Sequence, residues 1–595
     1  MKVGWLTPEE KRFVVLRHKF AAGGESGVAE KEEFSWSAAR QAFKSFHVYA
    51  CVAMEFTLCV VVYGVSFVLP TIIANLGYSA ANAQAMTVPP YIFASLVTVF
   101  SGWAADRYKQ RMLSVLLPNL LAMIGFIIII KDPPPVVDSP GVKDMTVFDE
   151  LAETDGDDEF RMWVSKVIDA KQEIVEFVAS RRLEKPAGEF DSYLKGSFNL
   201  SLVVKFKDGG PKAVIRFPKP GHTAKTLCEE KVKNEVQVLS FLSDQTTIPV
   251  PRVSSWGTIE DCPQHLGPFM IMDFVDGTSL ATILKQRTES ERDEVILATD
   301  VDNSKLEYVY EQLADYMLQL SQLDFTSIGA LAKDSSTSEW SICERPLTYN
   351  MNELVTVVSN YPTEGWPTSP LVSAKEFLHS LADEHIVHLQ VQRNLAESRA
   401  DAEKRFIARH RFKDLVSHHC LDDSGPFKLY CDDLQPSNML VDPETLQITA
   451  VLDFEFTNSM PAQFAYDPPW WLLLLGPDMW LEKHSMKEFM HRYEPRLEQF
   501  LRVMEQVEAK ATPKGETNSQ PLSARMRESW KTKRFWFNYG IRKSFDVDAV
   551  YWAALHEDGD DVLDEGLKEE MRKLVDLKME QLKAYDAECK LRFSS

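Results

Sequence analysis

The pattern of hydrophobic and polar positions divides the chain into two regions of different character. Three long apolar stretches, residues 48–74, 87–105 and 113–130, dominate the first region. The first stretch contains a single acid, Glu55, and the other two contain no charged residue. Each approaches the ~20 apolar residues that a helix needs to cross a bilayer. We therefore expect about three transmembrane α-helices within residues 1–131, with buried helices of a soluble core as the alternative.

A linker is predicted between the two regions, over residues 132–159. It begins with the run Pro133-Pro134-Pro135 and ends in a strongly acidic stretch, residues 154–159. Proline-rich and acidic composition favours extended or disordered chain.

From residue 160 the pattern is that of an α+β domain. Two apolar strands, 200–206 and 213–217, flank the turn signal Gly209-Gly210, which predicts a β-hairpin. Further predicted elements are helices over 163–182, 229–242 and 565–591, a strand over 268–274, and strand and loop over 428–453.

Composition narrows the classes of partner. The formal net charge of −22 argues against a nucleic-acid partner, because phosphate backbones require Lys and Arg surfaces. The eight cysteines include no CxxC pair, which suits reduced thiols in the cytosol better than a disulfide framework.

The strongest chemical signal lies within residues 429–455. Asp433 is followed five residues later by Asn438, and Asp453 ends the second of two strands that follow. Phosphoryl transfer needs one carboxylate to orient or deprotonate the attacking hydroxyl, and an amide oxygen and a second carboxylate to hold Mg²⁺. The predicted hairpin would bring Asn438 and Asp453 to one loop mouth, where oxygen ligands suit Mg²⁺. A surface turn rich in Asp and Asn is the alternative.

Candidate nucleotide-binding residues lie upstream in the order that this chemistry requires. Gly196 and Ser197 precede a strand, where a glycine turn lets backbone N–H groups approach phosphate. Met272 and Phe274 lie where an apolar strand runs into a short polar hinge, whose backbone would bind adenine.

Arg216 and Glu235 form a candidate ion pair for the nucleotide phosphates. Arg216 is a lone cation inside a predicted strand, and Glu235 follows on a predicted helix. Kinases hold the α- and β-phosphates with such a strand cation paired to a helix glutamate. The alternatives are a surface cation on an edge strand for Arg216 and a solvated helix face for Glu235.

The first region resembles the major facilitator superfamily, and in particular its fungal allantoate-permease-type branch. The resemblance rests on the spacing G-x-x-x-D-R-x-x-x-R, from Gly102 through Asp106 and Arg107 to Arg111, and on residues 4–12 and 67–73. Such carriers place the substrate site between two repeated halves. One half is absent here and the other is incomplete, so we do not expect transport.

The second region resembles the fungal branch of the aminoglycoside phosphotransferase family over residues 163–554. The segments that carry this resemblance are 196–199, 248–252, 345–350, 431–438 and 464–471. The resemblance implies a protein-kinase-like two-lobed fold, with an N-lobe over 160–275 and a helical C-lobe over 276–595 that ends in a charged helical tail. It also implies ATP and Mg²⁺ as cofactors.

By the same resemblance Asp433 is the catalytic base, Asn438 and Asp453 are the metal ligands, and Arg216 takes the usual lysine position. The family motif H-G-D-x-x-x-x-N is altered, because Cys431 replaces His and Asp432 replaces Gly. We expect Cys431 to pack as a small buried side chain. Asp432 either raises the pKa of the base or faces outward.

The apolar run at 467–475 has two interpretations. It is too short to cross a membrane, and its tryptophans belong either to the C-lobe core or to an acceptor pocket.

Together these patterns predict an ATP- and Mg²⁺-dependent phosphotransferase that acts on a hydroxyl group of a small molecule. A nucleotide-binding pseudokinase and a transporter remnant with an appended domain are the alternatives. The expected partners are a nucleotide, an unidentified small-molecule acceptor and membrane lipid. The full chain is expected to be a multi-pass membrane protein and the kinase-like domain alone to be cytoplasmic. Three spans from a cytosolic start would place that domain on the far side of the membrane. Either one stretch does not span, or the two regions do not work as one protein, which we favour and which indicates a gene fusion or a mis-joined gene model.

Overall fold

The computed structural model describes residues 147–182, 186–286, 294–333, 338–511 and 520–593. All of them lie in the second of the two units into which the chain divides, Pro140–Ser595. The three predicted membrane stretches and the G-x-x-x-D-R segment lie outside the described residues. Within these ranges, no helix is long and apolar enough to cross a membrane.

The described chain opens with two helices, α1 (Glu150–Asp169) and α2 (Lys171–Ser180). The prediction that residues 150–159 belong to an extended linker is therefore wrong. The side chain of Asp149 accepts hydrogen bonds from the first backbone N–H groups of α1. Acidic residues in a first turn favour a helix because they face the positive end of its dipole. The single helix predicted over 163–182 is also interrupted, at Ala170.

A five-stranded antiparallel sheet follows, in the order β1-β2-β3-β5-β4. Its strands are β1 (Gly188–Lys195), β2 (Asn199–Phe206), β3 (Ala213–Pro218), β4 (Val253–Gly257) and β5 (Phe269–Asp273). The predicted hairpin is confirmed, since β2 pairs with β3 from Asn199 and Pro218 to Val204 and Ala213. The apolar faces of α1 and α2, including Trp163 and Ile174, pack with β2 and β3 residues in one core cluster.

Helix α3 (Cys228–Gln245) includes the predicted 229–242 helix and contacts β4, β5 and the first strand of a later hairpin. Its buried Val236, Leu239 and Leu242 belong to the large core that continues into the C-terminal part.

The remainder is mainly helical and carries three small antiparallel sheets, ordered β13-β10-β7, β12-β11-β6 and β8-β9. Its helices are α4 (Leu280–Leu284), α5 (Asn303–Ser321), α6 (Tyr349–Val357), α7 (Ala374–Val391), α8 (Arg399–Asp414), α9 (Val416–His419), α10 (Ala462–Ala465), α11 (Pro477–Lys483), α12 (Met486–Ala511), α13 (Leu522–Lys531), α14 (Arg534–Ile541), α15 (Val547–Val550) and α16 (Glu565–Phe593). Its strands are β6 (Thr278–Ser279), β7 (Asp324–Phe325), β8 (Ala330–Lys333), β9 (Trp340–Glu344), β10 (Phe427–Tyr430), β11 (Met439–Val441), β12 (Ile448–Val451) and β13 (Asn458–Met460).

The predicted charged tail is helix α16, and it is docked on the domain. It contacts α8, and the Tyr585 hydroxyl accepts a hydrogen bond of 2.8 Å from the backbone N–H of Glu150. Arg592 forms an ion pair of 2.5 Å with Asp155. The tail therefore joins the first helix of the described chain to the C-terminal helices.

Candidate active site

The loop between β10 and β11 holds Asp433 in a fixed orientation. Asn438, at the end of the 3₁₀ turn Pro436–Asn438, donates its side-chain amide to Asp433 Oδ2 at 2.8 Å and to the Asp433 carbonyl at 3.0 Å. Gln435 donates to Asp433 Oδ1 at 2.5 Å. Because the Asn438 amide nitrogen is directed at Asp433, its carbonyl oxygen is left for another partner.

The environment of Asp433 suits a general base. Burial raises the pKa of this carboxyl to about 6, against the hydrogen bonds from Asn438 and Gln435, which lower it. The nearby carboxylates of Asp453 and Glu455 add a smaller increase in the pKa of Asp433. A base works best when its pKa lies near the operating pH.

Asp453 lies at the mouth of the hairpin β11–β12. Strands β11 and β12 pair antiparallel, and the backbone N–H of Leu452 donates to the carbonyl of Asn438 at 2.8 Å. Asp453 follows with a positive φ of 60°, a conformation that non-glycine residues rarely adopt, and its side chain is 32% exposed. The structure thus brings Asn438 and Asp453 to the same hairpin end.

Arg216 connects the sheet, helix α3 and the Asp453 loop. Its guanidinium forms an ion pair of 2.9 Å with Glu235 and a second pair with Asp453. Strand β3 lies between β2 and β5, and Arg216 and Glu235 are only 7% and 2% exposed. The alternatives of an edge-strand cation and a solvated helix face are therefore wrong. Burial raises the pKa of Glu235, although Arg216 opposes this.

The glycine turn joins β1 to β2 and is held from behind by Lys219. The N–H of Gly196 donates to the Asn199 carbonyl at 3.0 Å. The Lys219 ammonium donates to the carbonyls of Gly196 and, at 3.1 Å, Ser197. In a trans peptide the C=O and the following N–H point in opposite directions, so the N–H groups of Ser197 and Phe198 point away from Lys219. A Cβ at Gly196 would meet only the Asn199 oxygen at 3.5 Å, so internal packing does not require glycine there.

A cleft of about 390 Å³ lies between the five-stranded sheet and the hairpin β11–β12. Six predicted site residues line it: Gly196, Arg216, Glu235, Met272, Phe274 and Asp453. Apolar side chains of β3, α3 and the hairpin complete the walls: Val214, Leu239, Leu440 and Leu452. Ser197, Asp433 and Asn438 are not among the lining residues. A concave cleft that combines apolar walls with a few charged groups has the character of a small-molecule binding site.

Three residues that the sequence analysis did not assign are central to the ion network. Lys231, Glu455 and Asn199 are buried, and Lys231 forms an ion pair with Glu455. Lys231 lies one helical turn before Glu235, and Glu455 lies two residues after Asp453. Those spacings were the available signal, but a lysine on a helix is ordinarily an exposed residue.

The residues that depart from the family motif have structural partners. Asp432 accepts hydrogen bonds from Arg542 at 2.9 Å and from the Tyr430 hydroxyl at 3.3 Å. It is therefore engaged with the C-terminal helices. Burial raises the pKa of the Cys431 thiol well above its usual range, so Cys431 is not a thiolate nucleophile. Its Sγ contacts the Asp453 carbonyl at 3.9 Å and so braces the two loops.

The two tryptophans of the 467–475 run have different surroundings. Trp471 is buried in the main core and packs edge-on against Phe500. Trp470 is half-buried, and its indole N–H donates to the Asp432 carbonyl at 3.1 Å. The segment therefore supplies core packing and a brace for the loop that carries Asp433. Both tryptophans also line a small cavity beside Asp432, so a contribution to an acceptor pocket stays a prediction.

The described domain is a phosphotransferase of the kinase-like class. Residues 197–502, more than half of the chain, match the sequence profile of the Phosphotransferase enzyme family (APH). The chain belongs to this family, so the predicted membership and class of enzyme are confirmed.

Individual known proteins show similarity to one or the other region. A putative aminoglycoside phosphotransferase structure from Ralstonia eutropha JMP134 is 14% identical, covers 69% of this chain and 98% of its own, and has a TM-score of 0.37. The "Altered inheritance of mitochondria protein 9, mitochondrial" of Debaryomyces hansenii is 23% identical over 42% of this chain and 44% of its own.

The first region is similar to transporters. The MFS-type transporter cnsO of Penicillium expansum is 40% identical over 126 residues, which are 21% of this chain and 24% of that protein. The predicted resemblance to this superfamily is confirmed. The chain spans about a quarter of the length of this transporter relative.

Proposed function

We propose that the domain transfers the γ-phosphoryl group of ATP to a hydroxyl group of a small molecule, with Mg²⁺ as cofactor. The observation that carries this proposal is the convergence of two sets of residues at one cleft. Arg216, Glu235 and Asp453 are joined by ion pairs inside it, and Asp433 and Asn438 are hydrogen-bonded to each other beside it.

The residues at the hairpin end fit a magnesium ion. Asn438 can offer its side-chain carbonyl oxygen and Asp453 its partly exposed carboxylate, and both are hard oxygen ligands. Mg²⁺ is usually bound by one or two carboxylates together with substrate phosphates and water. When bound, Mg²⁺ neutralises charge that develops on the phosphates.

The remaining residues supply positioning and proton transfer. The N–H groups that the glycine turn directs away from Lys219 would bind phosphate oxygens, and Arg216 would hold the α- and β-phosphates. Asp433 would accept the proton of the acceptor hydroxyl while the hydroxyl oxygen attacks the γ-phosphorus. The bond between the γ-phosphorus and the bridging oxygen of the β-phosphate breaks, and ADP leaves. Its raised pKa keeps this carboxyl a competent base near neutral pH.

One observation favours a nucleotide-binding module without turnover as the second candidate. Arg216 contacts Asp453 directly, so a phosphotransfer-competent state requires this ion pair to yield the carboxylate to the metal.

A transfer assay on the full-length chain tests the proposal. Purified protein is mixed with γ-labelled ATP, Mg²⁺ and acceptors from several classes: choline-like alcohols, sugars, aminoglycosides and a hydroxyl-bearing peptide. We expect transfer to an acceptor by the wild type, and loss of transfer with retained ATP binding in Asp433→Ala. ATP binding without transfer to any acceptor would favour the second candidate.

We also propose that residues 1–131 attach the chain to a membrane. The similarity to transporters supports this, and transport itself is not proposed. Fractionation of cells with an antibody against residues 160–595 tests it. A membrane-bound band near 67.7 kDa supports attachment, and a smaller soluble band contradicts it.

A further inference from the structure

A second buried ion pair lies behind the Arg216–Glu235 pair. The Lys231 ammonium contacts Glu455 Oε2 and donates to the Asn199 side-chain oxygen at 2.9 Å. The Asn199 amide in turn donates to Glu455 Oε2 at 2.8 Å. Arg216 approaches the same Glu455 oxygen at 3.6 Å. Glu455 is thus the common acceptor of three elements: helix α3, strand β3 and the first residue of β2.

This second pair is closed to substrate. Lys231 and Glu455 are 1% and 8% exposed, and neither is among the residues that line the cleft. Any influence on the reaction must therefore act through the residues that they contact.

We propose that Lys231 and Glu455 form a second ionic clamp, which positions the Asp453 loop and the glycine turn against helix α3. This inference rests on the proposed function of the cleft. Both residues are positioning residues: they act by holding the Asp453 carboxylate, the proposed metal ligand, in place.

The geometry gives the clamp two fixed points on each side. Lys231 and Glu235 lie four residues apart on α3 and so share one helix face. Asp453 and Glu455 lie two residues apart on the facing loop. Arg216 joins Glu235 to Asp453, whereas Lys231 contacts Glu455 without an intermediary. These two connections, which meet where Arg216 approaches Glu455 at 3.6 Å, fix both the position and the tilt of the loop relative to the helix.

Because the clamp is buried, separating α3 from the Asp453 loop is energetically costly. A buried charge that loses its partner is strongly destabilising. Displacement of α3 would leave Lys231 without a carboxylate partner and Glu455 with only the more distant Arg216 as a cation. Asn199 extends the same constraint to the end of the glycine turn, whose Gly196 N–H donates to the Asn199 carbonyl at 3.0 Å. The glycine turn, α3 and the Asp453 loop are therefore expected to move as one unit.

Lys231→Met in the full-length chain gives the decisive test, because electrostatics and positioning predict opposite results. Removing a cation near a metal site should tighten Mg²⁺ binding if only charge matters. If the clamp positions Asp453, Mg²⁺ should bind more weakly, by about 10- to 100-fold, as is typical when a residue that orients a metal ligand is lost. The measured quantity is the Mg²⁺ concentration that gives half-maximal ATP binding, and calorimetry detects that binding.

Two further variants and one control complete the experiment. Glu455→Gln should weaken Mg²⁺ binding by a similar factor. The double variant Lys231→Met/Glu455→Gln should lose less than the product of the two single losses, because the pair acts as a unit. Lys578→Met is the matched control: Lys578 is a buried lysine of α16 that donates to the Gln392 carbonyl and the Gln581 side chain. It should lower the melting temperature and leave the Mg²⁺ requirement unchanged.

The outcomes separate this inference from the proposed function. Unchanged or tighter Mg²⁺ binding in Lys231→Met, with only a lower melting temperature as in the control, would overturn the clamp. Independent, multiplying effects in the double variant would also overturn it. Wild-type protein that binds ATP with Mg²⁺ but transfers no phosphate would contradict the proposed function and leave the binding test of the clamp valid. Wild-type protein without Mg²⁺-dependent ATP binding would overturn both.

Discussion

Two buried ion networks in this molecule use the same residue types for different purposes. In the C-terminal helices, Asp548 of α15 binds Arg405 and Arg409 of α8 at 2.9 and 2.8 Å. At the cleft, Arg216 binds Glu235 and Asp453. Each network joins elements that are far apart in sequence.

The two networks differ in their burial and in their balance of charge. Arg409 and Asp548 are fully buried, and Arg409 also donates to the carbonyls of His385 and Ser544. Burial and Arg409 lower the pKa of His388 well below its usual value, so this histidine remains neutral. The cleft network instead sets three carboxylates, Glu235, Asp453 and Glu455, against two cations, and its Asp453 side chain is 32% exposed. Excess negative charge with one open carboxylate can accept a cation. The Asp548 network is balanced in charge, because Arg405 also pairs with Asp401, and it stabilises the fold.

The largest expected effect is on catalysis by Asp433. Asp433→Asn should reduce kcat/KM by about 10²–10⁴-fold, because a positioned general base contributes that much. The dissociation constant of ATP should change little. Asp432→Asn is the matched control: Asp432 is the adjacent carboxylate, but it is bound to Arg542. Equal loss of kcat in both variants would contradict the assignment of the base to Asp433.

Breaking the Asp548 network should instead lower the stability of the fold. Arg409→Met leaves Asp548 buried with one cation fewer, and we expect a loss of about 3–5 kcal/mol in the free energy of unfolding. The KM for ATP of the folded fraction should be unchanged. Denaturant unfolding followed by far-ultraviolet circular dichroism, with KM measured in parallel, checks this. A raised KM with normal stability would mean that the two networks are not separate in function.

Arg216→Met should weaken ATP binding, in contrast to Arg409→Met, which should lower stability and leave the KM for ATP unchanged. Loss of a charged hydrogen-bond donor to the phosphates should weaken ATP binding by about 1.5–3 kcal/mol. Arg216→Lys keeps the charge and should recover part of the affinity, measured by calorimetry. Undiminished ATP affinity in Arg216→Met would place the phosphates elsewhere.

The pH dependence should report the environment of Asp433. The base acts when it is deprotonated, and burial raises its pKa to about 6. The kcat/KM should therefore rise about tenfold per pH unit below pH 6 and level off above pH 7, since kcat/KM reports the free enzyme. In Asp433→Asn this rise should disappear. If kcat/KM of the wild type instead rose with a midpoint near pH 4, the range of an unperturbed carboxyl, the result would contradict the buried environment of Asp433.

Local patterns predicted much of the fold and six of the residues that line the cleft. The β2–β3 hairpin followed from its turn and strand alternation, and α3 from its helical spacing. Asp433, Asn438 and Asp453 could be singled out because the roles proposed for them require a fixed spacing along one loop and one hairpin. The acidic start of α1 was missed, because composition alone does not reveal a capped helix that is docked by Tyr585 from the far end of the chain.

Long-range pairing explains what else was missed. The contact of Lys231 with Glu455 and that of Arg542 with Asp432 each join residues more than 100 positions apart. No local pattern distinguishes a buried lysine of this kind from a solvated one on a helix face. Such residues become visible only once the fold brings their partners together.

ATP binding by the full-length chain, titrated with and without Mg²⁺ in the wild type and in Asp453→Asn, tests the central claim most directly. We expect wild-type binding to depend strongly on Mg²⁺, because the proposed site would use Asn438 and Asp453 to hold the ion against the phosphates. Asp453→Asn should lose that dependence and retain only weak binding. Wild-type protein that does not bind ATP, or Asp453→Asn protein that keeps the full Mg²⁺ dependence, would contradict the account.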